Sequence, residues 1–164
     1  MSMPGVGDPA PEIALPDESG TVHRLSERRG RWTVVYFYPA DDTPGCTTEA
    51  CGFRDADDAI RSRDAEVWGI SPDSPESHAR FRAKFGLPFV LLSDVDHAVA
   101  ERYGAWVLKE RAGRTYWGIQ RSTFLVDPQG RIARVWPAVK PDGHADEVLA
   151  ALEEERRARS VGVG

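Results

Sequence analysis

Cysteine occurs only twice in this 164-residue chain, as Cys46 and Cys51. Two are too few for the disulfide framework of a small secreted domain, and they lack the further ligands of a structural zinc site. Long hydrophobic runs are also missing. No stretch approaches the ~20 apolar residues that cross a bilayer, and the opening MSMPGVGDPAPEIALPD has neither the basic start nor the apolar run of a signal peptide. A cytoplasmic location without membrane contact is expected. Positive charge is in deficit, with 21 Lys and Arg against 26 Asp and Glu and a net charge of -5. The basic residues are interleaved with acidic ones rather than gathered into a phosphate-binding face, which argues against nucleic acid as a partner. The four histidines, His23, His78, His97 and His144, are dispersed, with no spacing that sets two of them on one helix face. Neither a metal nor another cofactor is expected.

What remains is an ordinary globular composition, 41% hydrophobic and 29% charged. The length suits one domain, taken here as residues 1–164. Trp32 to Tyr38 (WTVVYFY) is a continuous apolar, β-branched and aromatic run ending at Pro39, the pattern of a buried central strand. A polar turn follows, and from Cys46 onward the composition is helical, with Gly52 as its weak point. A strand is expected over Glu66 to Ser71, a helix over Pro75 to Phe85, a strand over Phe89 to Leu92 and a short helix over Asp96 to Tyr103. Ser122 to Val126 and Arg131 to Trp136 are expected to form an antiparallel hairpin about the DPQG turn. His144 to Arg159 has an apolar stripe of Val148, Leu149 and Leu152, and closes the chain as an amphipathic helix. Alternating strands and helices ending in a hairpin and a helix predict an α/β fold, a thioredoxin-like three-layer sandwich around a mixed sheet. Glu12 to Leu25, turning at Glu18-Ser19-Gly20, adds an N-terminal β-hairpin extension.

The informative stretch is Pro39-Ala-Asp-Asp-Thr43-Pro44-Gly45-Cys46-Thr-Thr-Glu49-Ala-Cys51. A strand leads into a tight turn, and the turn delivers a cysteine to the first turn of a helix. Unpaired backbone N–H groups and the helix dipole favour an anion there, and the thiolate is the nucleophilic form of cysteine. A cysteine in a core is the bland alternative, since free cysteine packs as a small apolar residue. Core packing does not call for Thr-Pro-Gly just before the thiol and a second thiol just after it, so a positioned nucleophile is favoured. On an intact helix, residues five apart stand about 7.5 Å apart along the axis and about 140° around it, with Cα atoms about 8.6 Å apart. A disulfide needs them within about 7 Å. A bond between Cys46 and Cys51 therefore requires the first turns of the helix to open.

These residues resemble the peroxiredoxins, and within them the bacterioferritin comigratory protein, or Q, subgroup. Pro39, Thr43 and Cys46 reproduce the P-x-x-x-T-x-x-C motif, and TPGCTTEAC continues to a second cysteine five residues on. The likeness extends through GDPAPEIALPD, GISPDSPESHARFRAKFGLPFVLLSD and GIQRSTFLVDPQGRI. The resemblance implies a thiol peroxidase in which Cys46 attacks a hydroperoxide and becomes a sulfenic acid, Cys51 resolves it as an intramolecular disulfide, and thioredoxin or a similar dithiol restores both. It implies a monomer. It also assigns Arg121 as the cation beside the sulfur, Thr43 as a group aligning the peroxide and Pro39 as a shield against water. On residue type alone Arg121 would be a solvated surface residue and Pro39 a strand terminator. Glu49, one helical turn after Cys46, could orient Arg121, but is expected as a solvated helix residue and stays outside the catalytic set. Trp106, Tyr116 and Trp117 are expected in core or surface packing rather than at the mouth of the site. A thioredoxin-fold redox sensor could use the same cysteine pair without turnover. A protein-disulfide reductase is a poor fit, because its usual C-x-x-C is absent.

Overall fold

The computed structural model describes residues 2–162. In chain order the elements are β1 (Ala14–Pro16), β2 (Val22–Arg24), a 3-10 turn (Leu25–Arg28), β3 (Trp32–Phe37), α1 (Pro44–Arg61), β4 (Ala65–Ser71), α2 (Pro75–Phe85) and β5 (Val90–Ser93). They continue with α3 (Ala98–Arg102), β6 (Trp106–Arg111), β7 (Arg114–Ile119), β8 (Ser122–Val126), β9 (Ile132–Trp136) and α4 (His144–Gly162). The central sheet is five-stranded and mixed, in the order β5-β4-β3-β8-β9. β3 runs parallel to β4 and antiparallel to β8, so its backbone is paired on both edges and every one of its residues is buried. That double burial is why its sequence is continuously apolar instead of alternating.

The pleat of β3 divides the core in two. Val34, Tyr36 and, just past the strand, Tyr38 point into a cluster with Cys46, Phe53 and Ile60 of α1, Phe81 of α2 and Val148 and Leu152 of α4. Val35 and Phe37 point the other way, to Trp68, Ile70, Phe124 and the residues Val99 and Tyr103, joined by Leu15 and Leu25 of the N-terminal segment. The sheet is thus covered on both faces, as the thioredoxin-like sandwich requires. β1 and β2 form the expected extension as a separate two-stranded sheet.

Helix boundaries follow local chemistry. α1 begins at Pro44, two residues before the sequence-based expectation, because a proline in the first turn forfeits no helix hydrogen bond and its fixed φ suits a helix start. Cys46 consequently lies inside the first turn. Ser74 caps α2 through its hydroxyl, which accepts from Ser77 N at 3.2 Å, and Gly86, at φ 61°, ends that helix in the left-handed region. The sequence reading missed the β6–β7 hairpin. Its turn at Ala112 and Gly113 has positive φ at both positions, the conformation of a two-residue hairpin loop, but the charged run Lys109-Glu110-Arg111 obscured the alternation. Tyr116 and Trp117 are exposed on this hairpin, whereas Trp106 stacks on His97 with ring centroids 3.8 Å apart.

Candidate active site

Two segments meet at the C-terminal end of β3. One is the loop from Tyr38 to Thr43 with the first turn of α1, and the other is Arg121, immediately before β8. Cys46 is only 1% exposed, and its thiol is free, as is that of Cys51. Arg121 divides its fork between two partners: Nη2 donates to Cys46 Sγ at 3.4 Å, and Nη1 donates to Glu49 Oε1 at 2.7 Å. A planar, permanently charged guanidinium is the side chain suited to such a division.

Glu49 corrects the sequence-based expectation. It is not solvated: three residues after Cys46, it shares that residue's face of α1, and its carboxylate is fully buried against Arg121. Its Oε2 has no hydrogen-bond partner. Burial therefore pushes the Glu49 carboxyl up to about 7, with the charge and hydrogen bond of Arg121 pulling the other way. Burial likewise opposes the charge of Arg121, but the negative charge of Cys46 and Glu49 prevails and holds the guanidinium above its ordinary value. A positive group is thus anchored beside the sulfur by a buried acid. Residue type gave no sign of this, since the inward face of α1 is set by its packing on the sheet.

Gly45 has a steric reason to be glycine. A Cβ there would come within 3.1 Å of Arg121 Nη2 and 3.4 Å of Pro141 Cγ, crowding the guanidinium. The segment after β9 closes over the same region, with Val139 N donating to Arg121 O at 2.9 Å. Thr43 occupies the N-cap position of α1 and is exposed, its hydroxyl donating to Ala40 O at 2.9 Å. Pro39 is half-buried where the strand gives way to the turn. Cys51 is half-buried farther along the same unbroken helix. The floor is aromatic: Tyr36 stacks on Phe53 at 4.8 Å, and burial, reinforced by the nearby charges of Glu49 and Cys46, drives its phenol well above the usual range.

Sequence spacing also overlooked His78. The fold gathers one potential ligand atom each from Asp41, Asp73 and His78 within 4.8 Å of one another, although no helix periodicity links them. All three side chains are hydrogen-bonded to protein groups.

A helix-start cysteine facing a buried Arg–Glu pair in a thioredoxin-like sandwich marks a thiol-based redox enzyme. Comparison with known proteins narrows that class. Residues 6–135 match the AhpC/TSA family. Peroxiredoxin Bcp of Bacillus subtilis (strain 168) is 46% identical over 149 residues, covering 91% of this chain and 95% of that protein. The Xanthomonas campestris bacterioferritin comigratory protein, studied for alkyl peroxide reduction in trapped intermediate and ligand complexes, superposes with a TM-score of 0.84. It is 41% identical, over 87% of this chain and 91% of that one. Xylella fastidiosa PrxQ gives a TM-score of 0.86 at 36% identity, over 95% and 99% of the two chains. The chain belongs to the AhpC/TSA family, as a peroxiredoxin of the bacterioferritin comigratory protein, or Q, type. It is a thiol peroxidase.

Proposed function

We propose that Cys46 is the peroxidatic residue and Cys51 the resolving residue of an atypical two-cysteine cycle that reduces hydrogen peroxide and organic hydroperoxides. The observation that carries this reading is the 3.4 Å contact between Arg121 Nη2 and Cys46 Sγ. A donor at that distance favours the thiolate and stands beside the position that an attacked peroxide oxygen would take. The thiolate sulfur bonds to one peroxide oxygen, the O–O bond breaks, and its electron pair leaves on the second oxygen, which departs as water or alcohol after protonation. Arg121 and the first-turn N–H groups of α1 stabilise the charge that develops. The Thr43 proton is already given to Ala40, so the Thr43 oxygen can accept a hydrogen bond from the substrate hydroperoxyl group. Pro39 has no N–H to draw water toward the sulfur.

Cys46 is then a sulfenic acid. With α1 intact the two cysteines stand about 8.6 Å apart at Cα, so the first turns unwind before Cys51 attacks, forming the disulfide and releasing water. A dithiol protein of the thioredoxin kind supplies the two electrons that reopen it. The pairing lies within one chain and needs no second subunit, which supports a monomer of one domain working in a reducing compartment such as the cytoplasm. No helix among the described residues is long and apolar enough to cross a membrane.

Intact-mass analysis after one equivalent of peroxide tests the assignment. Wild type should lose two hydrogens, Cys51→Ser should gain one oxygen, and Cys46→Ser should not react. Oxidation of Cys46→Ser at the wild-type rate would overturn it. Repeated turnover with thioredoxin, its reductase and NADPH identifies the donor class; a single stoichiometric oxidation would reject it.

A further inference from the structure

From the geometry around Asp41 we infer that His78, a residue of α2 outside the reacting set, is a positioning residue for the peroxidatic turn. This inference rests on the peroxidase reading given above. The turn from Pro39 to Thr43 must set the Thr43 hydroxyl and the start of α1 against the substrate, yet all five of its residues lie in no regular element, and Asp42 adopts the left-handed φ of 56°. A single irregular loop does not hold sub-ångström geometry without fixing from outside.

The fixing comes through Asp41. Its Oδ1 accepts from the Tyr38 hydroxyl at 2.5 Å. Its Oδ2 accepts from the Ser77 hydroxyl at 2.8 Å and faces His78 Nδ1 at 2.7 Å. Its backbone N–H donates to Asp73 Oδ2 at 2.8 Å, and that oxygen also accepts from the Ser71 hydroxyl at 2.7 Å. His78 is 0% exposed, and its other nitrogen, Nε2, lies 3.0 Å from the Leu92 carbonyl oxygen of β5. A carbonyl can only accept, so Nε2 carries a hydrogen, and the other ring nitrogen, Nδ1, is left to meet the Asp41 carboxylate. The ring thus bridges the sheet backbone to the reactive turn, in a buried place where such hydrogen bonds are strong and losing one partner is costly. Asp42 adds an exposed tie to the same helix, Lys84 Nζ to Oδ2 at 2.7 Å.

α2 therefore grips the turn from the β5 side, while Arg121 meets Cys46 from the β8 side. The two supports differ in timing. Opening of the first turns of α1 displaces Cys46 from Arg121, but none of the His78 and Asp41 bonds lies within α1. His78 and Asp41 hold the loop in place as the cysteine leaves and give it the same frame on return.

The test separates alignment of the peroxide from reactivity of the thiol and from stability. His78→Leu, in an otherwise intact protein, is compared with wild type for the rate of Cys46 oxidation by hydrogen peroxide, the rate of Cys46 alkylation by iodoacetamide, and melting temperature. Alkylation needs the thiolate but not an aligned O–O bond. The expected result is a fall of about tenfold or more in the peroxide rate with alkylation changed less than about threefold, since small misplacements of aligned groups cost one to two orders of magnitude. Should His78→Leu fail to fold, Ser77→Ala and Asp41→Asn are read by the same pair of rates. Peroxide oxidation within threefold of wild type in a folded variant would overturn the inference. So would equal losses in both rates, which indicate a purely structural role. Wild type that does not react with peroxide at all would instead refute the peroxidase reading.

Discussion

At the residue scale, the chemistry depends on how one guanidinium is shared. Arg121 touches the Cys46 sulfur and a buried carboxylate at once, and Glu49 contributes no contact to the sulfur that would substitute for it. Glu49 orients Arg121 at a cost, because its own carboxyl is raised to about 7 by burial, against the pull of Arg121. In the unfolded chain the same carboxyl titrates near 4.5. The folded state thus binds more protons than the unfolded state between these values, and stability falls as pH rises from about 4.5 to about 7. Glu49→Gln removes that component. Melting curves across this window should show wild type losing stability relative to Glu49→Gln, on the order of 1 kcal/mol or more. Parallel pH profiles for the two proteins would contradict the buried, raised carboxyl. Pro39, Thr43 and Cys46 could be singled out from a local motif, whereas Arg121 was named only through the family resemblance. Glu49, Asp41 and His78 were not legible, because acidic and histidine side chains are solvated by default and only packing turns them inward.

At the element scale, the proposed cycle asks α1 to be both firm enough to present Cys46 and loose enough to release it. Gly52 serves the second need by its low helix propensity, and it also allows close approach to α4, since a Cβ there would stand 3.4 Å from Ala145 Cβ. That is ordinary contact distance, so Gly52→Ala should fit without clash. It should stabilise the wound helix by about 1 kcal/mol. If opening of α1 precedes attack by Cys51, the Cys46 sulfenic acid should persist about fivefold longer in Gly52→Ala, with the first oxidation unchanged, as measured by dimedone trapping over time. A more stable variant with wild-type sulfenic acid lifetime would show that resolution does not need this stretch to unwind. Strands and helices with a strong period were readable in the sequence; Pro75 to Phe85 and Ser122 to Val126 coincide with α2 and β8. The β6–β7 hairpin was not, since its two strands expose charged residues and are paired only with each other.

At the scale of the whole molecule, the sheet is the fixed part and the end of β3 the working part. β3 is paired on both edges and buried on both faces, whereas the opening turns of α1 are held on the outer side by Arg121 and the segment after β9. Hydrogen exchange on the reduced and disulfide forms should therefore show faster exchange across residues 44–52 after oxidation, with β3 and β8 equally protected in both. Unchanged protection in α1 after a verified Cys46–Cys51 bond would refute local opening. The sequence by itself determined the layered α/β architecture, because burial of strands and helices writes periodicity and continuous apolar runs into the chain. It likewise singled out Cys46 as the candidate nucleophile, because a helix start and its turn are local in sequence. Only the tertiary structure decided which charged groups support that cysteine. Arg121 meets Cys46 across 75 residues, and His78 meets Asp41 across 37. Pairings at such separations are fixed by how β3, β8 and α2 stack, and local composition carries no record of them.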